Sequence, residues 1–307
     1  MPGDLKPRSG LSRLLFSTRE ARLRAGWRLI GHTALLSFSV ALAAAAVLIP
    51  LLLLVAFDLG NLNQASLSLS VIVALPAITI ATWIARRLLD RRSFRSLGLE
   101  LGPRWIRDLL VGFAIPVPLF ALVYLFESLM GWLEFQSWGW ADGGLAATAV
   151  GLLLTLLAFV AVGFYEELLF RGYYLQNLKD GTNVAVAVLV TSAVFGLAHL
   201  GNFHASLNST LGIFTAGLFL AYAWIRTRAL WLPIGIHIGW NFLQGPVFGF
   251  EVSGYTTPSL VQHSVSGPVL ITGGDFGPEA GLVILPTMAI GIGLIWLYTR
   301  HPGPPAG

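Results

Sequence analysis

The stretch GFYEELLFRG, residues 163–172, places two glutamates and an arginine at the end of an apolar run that begins near Leu145. An ionisable side chain at the centre of a membrane helix costs about 2.5–3.5 kcal/mol on insertion scales, so such residues are rare and mark functional sites. Residues 145–170 are otherwise long and apolar enough to cross a hydrocarbon core as one helix. This segment therefore predicts both a membrane fold and a site within it.

The composition of the whole chain agrees with a membrane fold. Hydrophobic residues make up 55% of the 307 residues and charged residues only 11%, whereas soluble domains carry about 25% charged residues. The mean hydropathy is +0.74. We predict an all-α, polytopic membrane protein built as a bundle of about eight transmembrane helices. The predicted spans are residues 28–57, 68–89, 108–131, 145–170, 183–203, 210–226, 232–250 and 281–299.

The basic residues predict the orientation of this bundle. All 19 Lys and Arg residues lie in residues 1–28, 86–107, 171–179, 226–228 and at Arg300, which eight spans would bring to one side of the membrane. The positive-inside rule makes that side the cytoplasm, with both termini inside. The same distribution accounts for the pI of about 9.7. Basic residues at a membrane surface contact lipid headgroups, so the high pI does not require a function in nucleic-acid binding. We expect an integral, multi-pass protein of a bacterial cytoplasmic (inner) membrane.

The chain divides into a basic cytoplasmic N-terminal segment, residues 1–27, and a transmembrane domain, residues 28–300, with a catalytic core at about 145–250. Residues 11–28 interleave Leu with Arg, which fits either an interfacial amphipathic helix or a basic tail that only sets orientation. We expect no cleavable signal peptide, and the chain has no cysteine. The connection at residues 251–280 fits either a plain loop or a partly ordered cap over the bundle.

Glu166 and Glu167 differ in their local partners. Arg171 follows Glu167 by four residues, the spacing and order that favour an ion pair on one helix face. Glu166 points about 100° away around the helix and has no such partner. A carboxylate without a partner in a low-dielectric medium holds a proton more readily, which suits a general base near neutral pH. Glu166 is therefore the stronger chemical candidate, and Glu167 its structural neighbour.

Two later motifs add polar groups to the apolar spans. FGLAH puts Phe195 and His199 one turn apart on one helix face, and HIGWN does the same for His237 and Asn241. One intramembrane histidine is more often a core residue than a catalyst. Two histidines with a carboxylate and an amide on neighbouring helices indicate a site.

The sequence also predicts how deep Glu166, His199 and His237 lie in the membrane. Glu166 precedes the turn near residues 180–182 by about as many residues as His199 follows it, so the two side chains should lie within about one helical turn of the same height. His237 starts its helix closer to the cytoplasmic end. We therefore expect a site in the cytoplasmic half of the membrane, open to water from inside, with the hairpin projecting into the cytosol.

The three motifs together resemble a known family. EELLFR fits Glu-Glu-x-x-x-Arg, FGLAH fits Phe-x-x-x-His and HIGWN fits His-x-x-x-Asn, in this order and on three hydrophobic segments. They look like the core of the CPBP family, which comprises CAAX prenyl endopeptidases, bacteriocin-processing enzymes and the related Abi membrane proteins. The resemblance covers about residues 160–245. It implies an intramembrane endopeptidase that cuts a membrane-associated peptide or protein near the cytoplasmic face.

The resemblance also implies a role for each matched residue. Glu166 would be the base that activates water, and His199 would help to hold that water. His237 and Asn241 would donate hydrogen bonds to the tetrahedral oxyanion. The residues implied to support the site are Glu167, Arg171 and Phe195.

A zinc-dependent mechanism is the alternative to a metal-free one. Glu166, His199 and His237 are candidate zinc ligands, because three protein ligands of this kind hold catalytic zinc elsewhere. The chain lacks the His-Glu-x-x-His spacing that fixes two ligands and a base on one helix. Asn241 is a poor zinc ligand but a natural oxyanion donor. We expect no cofactor, with zinc as the alternative.

Two other functions fit parts of the pattern. One is a non-catalytic membrane scaffold or immunity protein of the Abi type, although a scaffold would not need the buried set of Glu, His and Asn. The other is a proton-coupled transporter, which would show inverted repeats that we do not find. The expected partners are the lipid bilayer and a membrane-associated peptide or protein substrate, prenylated or not, and no nucleic acid.

Overall fold

The computed structural model of the chain describes residues 14–16, 22–53 and 62–300, and these residues form helices with a single pair of short strands. The helices are α1 Ala25–Leu53, α2 Leu62–Leu88, α3 Trp105–Ala114, α4 Pro116–Leu129, α5 Trp140–Glu167, α6 Leu175–Gly181, α7 Val184–Ala198, α8 Leu207–Thr227, α9 Trp231–Phe242, α10 Val269–Thr272 and α11 Ile284–Thr299. The strands are β1 Leu133–Trp138 and β2 Val261–Val265. Residues 11–13 and 17–21 of the predicted amphipathic segment, and residues 54–57 of the first predicted span, lie outside the described residues.

The all-α, multi-pass membrane fold is confirmed. Within the part of the chain that the structure describes, six helical segments are long and apolar enough to cross a membrane: Ala25–Val47, Leu67–Leu88, Trp105–Leu129, Gly143–Gly181, Val184–Gly201 and Leu207–Thr227. Their outer surfaces are apolar, since Leu153, Leu154 and Leu157 on α5 are 57–60% exposed. Exposed leucines in such rows match a lipid environment, where no water has to be excluded.

The last two predicted spans are shorter than expected. Helix α9 has 12 residues and is extended only by the π-helical turn Leu243–Val247, while α11 has 16 residues. Both fall below the roughly 20 residues of a full span. The apolar run at residues 232–250 does not continue as helix because Gly245 and Pro246 follow in its last turn and Gly249 takes φ +83°.

The described parts of the basic segments predicted to share one side of the membrane do lie at one end of the bundle, where α1 begins and α2, α6, α8 and α11 end. We call this the basic end. The hydrogen bonds and ion pairs that join its segments are Arg22–Asp180 at 2.9 Å, Arg28–Asp90 at 3.3 Å, Gln176–Leu97 at 2.7 Å, Leu230–Gly98 at 2.8 Å and Arg226–Thr299 at 2.8 Å. That this end faces the cytoplasm stays a prediction of the positive-inside rule.

The opposite end carries an ordered cap. Strands β1 and β2 pair antiparallel, with Leu133 opposite Val265 and Trp138 opposite Val261. The short helix α10 and the 3-10 turns Gly274–Phe276 and Pro278–Ala280 complete the connection. Burial lowers the pKa of His263, so its neutral imidazole donates through Nε2 to the carbonyl oxygen of Phe248 at 2.8 Å. Of the two interpretations of residues 251–280, the ordered cap is the correct one.

Helix α9 forms the centre of the bundle, and every residue from Leu232 to Asn241 is buried. It can lie there because its glycines allow direct contact with α3. A Cβ added at Gly235 would overlap the carbonyl oxygen of Leu109, and one at Gly239 would overlap that of Phe113. Small residues of this kind let membrane helices pack backbone to backbone. This contact fixes the position of His237, which lies between the two glycines.

Candidate functional site

Glu166 and Glu167 lie in the last turn of α5, where the chain passes into the π-helical turn Leu168–Tyr174. A π turn winds the backbone more widely than an α turn, and such turns are frequent at functional sites. The side chain of Glu167 is 0% exposed, whereas that of Glu166 is 15% exposed. The two neighbouring carboxylates therefore occupy different environments, as the sequence predicts.

Glu167 forms the predicted ion pair with Arg171, whose Nη1 donates to its Oε1 at 2.8 Å. Arg171 also donates to the carbonyl oxygen of Gly217 on α8 at 3.0 Å, and its guanidinium lies 4.4 Å from the ring centroid of Phe195 on α7. The same Oε1 atom of Glu167 accepts a hydrogen bond from Nδ1 of His237 on α9, at 2.9 Å. One buried ion pair thus links four helices around the site.

The ring of His199 is oriented by its own helix. His199 follows the last residue of α7, and its Nδ1 lies 2.8 Å from the carbonyl oxygen of Phe195. A carbonyl oxygen only accepts, so Nδ1 carries the proton and donates. Nε2 then has a free lone pair in the neutral ring, and this atom lies 3.9 Å from Oε2 of Glu166. The Phe195 ring packs edge-on against the imidazole at 4.7 Å.

His237 faces the same carboxylate oxygen from the other side. Its Nε2 lies 3.8 Å from Oε2 of Glu166. Oε2 is buried and makes no hydrogen bond within the described part of the chain. The structure therefore brings Glu166, His199 and His237 together, as predicted, with separations slightly longer than a direct hydrogen bond.

These side chains line one cavity of about 190 Å³. Asn241, one turn after His237, lines it too and is 6% exposed. Most of the other lining side chains are apolar: Phe159, Val162, Phe170, Phe195, Ile213, Phe219, Leu220 and Ile236. A water needs about 10–15 Å³ of such volume, so the cavity has room for water beside a larger group.

The position of the site along the bundle can be measured from α9. His237 follows Trp231 by six residues, about 9 Å along the helix, and Nε1 of Trp231 donates to the carbonyl oxygen of Glu100 in the basic segment 86–107 at 2.9 Å. His199 follows α7, whose 15 residues, about 22 Å, start near Asp180. The α6–α7 turn therefore extends beyond the start of α9, as the sequence predicts for this hairpin. That the site opens to the cytoplasm stays a prediction.

The sequence reasoning also missed the part of the site that comes from the cap. Glu279 lines the cavity and is 3% exposed. Its Oε1 accepts from Nε1 of Trp240 at 3.0 Å, and its Oε2 accepts from the backbone N and Oγ of Ser253 at 2.8 and 2.6 Å. The sequence signal for Glu279 was its place as an acidic residue in the glycine-rich stretch GDFGPEAG. Its partner Trp240 lies 39 residues away along the chain, so the sequence did not indicate the contact.

The candidate metal ligands do not stand at the spacing of a zinc site. Ligand atoms 2.0–2.2 Å from zinc in a tetrahedron lie roughly 3.4 Å from one another. Oε2 of Glu166 lies 3.8 and 3.9 Å from the two Nε2 atoms. Among residues 14–16, 22–53 and 62–300, no group of three His, Cys, Asp or Glu side chains is arranged to hold a metal ion.

Comparison with known proteins agrees with the motifs. Residues 147–243, about a third of the chain, match the family model described as type II CAAX prenyl endopeptidase Rce1-like. The "Putative membrane peptidase YdiL" of Bacillus subtilis (strain 168) is 30% identical over 89 residues, which are 29% of this chain and 34% of that protein. The chain thus spans about a third of the length of that relative. No solved structure matches this chain.

The resemblance drawn from the three motifs is therefore confirmed over residues 147–243. The matched segment holds Glu166, His199, His237 and Asn241. At the level of the family, this segment is similar to membrane proteases.

Proposed function

We propose that this chain is a membrane-embedded endopeptidase, on the basis of the similarity of residues 147–243 to the type II CAAX prenyl endopeptidase (Rce1-like) family. It hydrolyses a peptide bond in a membrane-associated peptide or protein, with water activated by Glu166. One observation carries the proposal. Oε2 of Glu166 lies 3.8 and 3.9 Å from the Nε2 atoms of His237 and His199 inside the cavity.

The attacking water is the first element of the mechanism. Polar atoms separated by more than about 3.5 Å are commonly bridged by a water molecule. A water between Oε2 of Glu166 and Nε2 of His199 donates to both atoms, because the carboxylate and the neutral Nε2 both accept. Its lone pair then points away from these two groups, toward a substrate carbonyl carbon in the cavity.

Glu166 acts as the general base and then as the general acid. The water oxygen bonds to the carbonyl carbon while its proton moves to Glu166. The tetrahedral intermediate then collapses, the C–N bond breaks, and Glu166 returns the proton to the amine that leaves. A positioned general base contributes about 10²–10⁴-fold to the rate.

His237 and Asn241 supply the oxyanion donors. Asn241 donates through its side-chain amide. His237 already donates from Nδ1 to Glu167, so it can donate from Nε2 only as a doubly protonated imidazolium. Carboxylates lie on both sides of the ring, Glu167 at 2.9 Å and Glu166 at 3.8 Å, and they balance that charge. Donors aimed at developing negative charge in a dry site are worth about 10²–10³-fold each.

The walls of the cavity indicate the chemistry of the substrate. Apart from the catalytic groups, the lining is dominated by phenylalanine and aliphatic side chains. The residues beside the scissile bond should therefore be apolar, as expected for a segment that enters from the lipid. The protein would act in the cytoplasmic membrane of a bacterium, with lipids and this peptide as partners, without nucleic acid and without a cofactor.

Cleavage of a membrane-anchored peptide library by the purified full chain in detergent tests the proposal. Glu166→Gln keeps the shape of the side chain and removes the base, so cleavage should fall at least about 100-fold. Glu134→Gln is the matched control, because Glu134 lies exposed on β1 away from the cavity. Full activity in Glu166→Gln would refute the assigned base. No cleavage by the folded wild-type chain would favour the non-catalytic scaffold.

A further inference from the structure

Tyr165 precedes Glu166 on α5 and lines the same cavity. The residue is 7% exposed, and it belongs to a cluster of buried apolar side chains that includes Val162, Phe170 and Phe195. Close packing of this kind holds a ring in one orientation. The phenol of Tyr165 is therefore fixed in the cavity wall, and the proposed hydrolytic steps give it no role.

The neighbours of the Tyr165 hydroxyl show where it lies in the cavity. The hydroxyl is close enough to Glu166 and to Tyr255 of the cap to interact with both electrostatically. Both residues line the cavity. The hydroxyl therefore lies near both the proposed base and the cap, at the edge of the space that a substrate carbonyl occupies when the water on Glu166 attacks it.

The hydroxyl of Tyr165 makes no hydrogen bond within the part of the chain that the structure describes. A buried tyrosine hydroxyl usually has a partner, because losing water without gaining one costs free energy. Other polar side chains in the wall already bond within the protein: Ser70, Asn202, Trp240, Ser253 and Glu279. Tyr165 differs from these in keeping both its donor and its acceptor capacity for a ligand.

A peptide bound in this cavity needs such a partner. Each main-chain N–H and C=O that enters an apolar site loses its hydrogen bonds to water, and this costs free energy unless a protein group replaces them. The four hydrolytic side chains act on the scissile amide itself, so the amides on either side of it require other partners. A tyrosine hydroxyl both donates and accepts, so it can bond to a C=O or an N–H.

We propose that Tyr165 is a substrate-binding residue whose hydroxyl forms a hydrogen bond with a main-chain amide adjacent to the scissile bond. The bond is present in the bound substrate and in the transition state alike, so it contributes to affinity and not to the chemical step. The site then recognises the backbone of its peptide as well as its apolar side chains. This inference rests on the proposed function and adds a residue that holds the substrate.

Binding of a peptide that cannot be cut separates affinity from chemistry. The probe is the membrane-anchored library peptide that the full-chain variant Glu166→Gln binds most tightly in detergent, with Kd measured by calorimetry. Tyr165→Phe in the same background keeps the ring and removes the hydroxyl, so Kd should rise about 3–10-fold. Tyr222→Phe is the matched control, because Tyr222 is half-buried on α8 and does not line the cavity. It should leave Kd within about twofold, and the melting temperatures of both variants confirm folding.

Peptides in which an ester replaces one main-chain amide at a time identify the bonded amide. One ester next to the scissile bond should weaken binding to Glu166→Gln and have no further effect once Tyr165→Phe is present, because both changes remove the same hydrogen bond. In the wild-type background, Tyr165→Phe should raise KM by the same factor with kcat nearly unchanged.

An unchanged Kd in the Tyr165→Phe variant would overturn the inference, and so would losses that add at every ester position. Failure of every library peptide to bind would overturn it too. Peptide binding that depends on Tyr165, in a chain whose wild type cuts no peptide, would refute the proposed function and leave the binding role of Tyr165 standing.

Discussion

Nδ1 of His237 lies 2.9 Å from Oε1 of Glu167, the same oxygen that accepts from Arg171 at 2.8 Å. Glu167 therefore does more than neutralise an arginine on its own helix. It holds the imidazole of α9 at the distance and angle at which Nε2 faces Glu166. The support of the site and its chemistry are joined through one buried carboxylate.

This arrangement predicts that substitution of Glu167 lowers stability, whereas substitution of Glu166 abolishes cleavage. Glu167→Gln leaves Arg171 buried without a counter-charge, so the free energy of unfolding should fall by about 3–5 kcal/mol. Glu166→Gln removes only contacts of 3.8 Å or longer to the two imidazoles, and His237 keeps its closer carboxylate, Glu167, so it should change this free energy by less than about 1 kcal/mol while cleavage is lost. Thermal melting of the two purified variants in detergent compares them. Equal melting temperatures would contradict the structural role of Glu167.

Asn241 is predicted to act on the transition state and not on substrate binding. Asn241→Leu keeps a similar side-chain volume and removes the oxyanion donor, so kcat should fall about 10²–10³-fold with KM nearly unchanged. The matched control is Asn208→Leu, because Asn208 lies exposed on α8. Steady-state kinetics on a peptide found in the library separates the two constants. A rise in KM at constant kcat would assign Asn241 to substrate binding instead.

The contact between α9 and α3 is predicted to depend on Gly235. The added methyl group in Gly235→Ala would overlap the carbonyl oxygen of Leu109, and overpacking of this kind costs about 1–3 kcal/mol. Gly293→Ala on α11 is the control, since no atom lies within 4 Å of the added carbon. That variant should be neutral or more stable by up to about 1 kcal/mol, because alanine favours helix. Similar melting of both variants would argue against the close contact.

Glu279 is predicted to hold Ser253 and its cap neighbours in place beside the cavity. Glu279→Gln replaces an acceptor-only carboxylate with an amide that has one acceptor oxygen, so Ser253 or Trp240 loses its partner. We expect KM to rise severalfold and limited proteolysis near residues 252–256 to become faster. Asp275→Asn makes the same chemical change at a side chain that is 85% exposed in the same connection and should alter neither. Unchanged proteolysis in Glu279→Gln would show that residues 252–256 are held by other contacts.

Treatment with a chelator distinguishes a metal-free enzyme from a zinc enzyme. With ligand separations of 3.8 and 3.9 Å, we expect peptide cleavage to persist after prolonged treatment with a strong chelator. Melting temperature in the chelator is recorded alongside, so that unfolding is recognised. Loss of cleavage in the folded protein, restored by added zinc, would replace the glutamate-base mechanism with a metal-dependent one.

The features that the sequence predicted correctly are local ones. The length of the apolar runs decides that residues 145–170 form a membrane helix, whatever packs against it. The helical period decides that Glu167 meets Arg171 and that Phe195 meets His199, because residues four apart share a face. Even the common height of Glu166 and His199 follows from counting along one hairpin, and their 3.9 Å separation confirms it.

Other features of the site were not predicted because they depend on contacts between distant segments. The Glu167–His237 bond and the Glu279–Trp240 bond join residues 70 and 39 positions apart. Neither the length of an apolar run nor the helical period indicates which of such distant residues meet.

The sequence by itself determined that this is a helical membrane protein, and it determined which polar residues share a helix face. It could do so because hydrophobic length and helical periodicity are properties of single segments. Only the tertiary structure decided which carboxylate orients His237 and that a cap residue completes the cavity wall. These depend on how helices pack and slide against one another, and that is set by side-chain and backbone contacts between segments far apart in the chain.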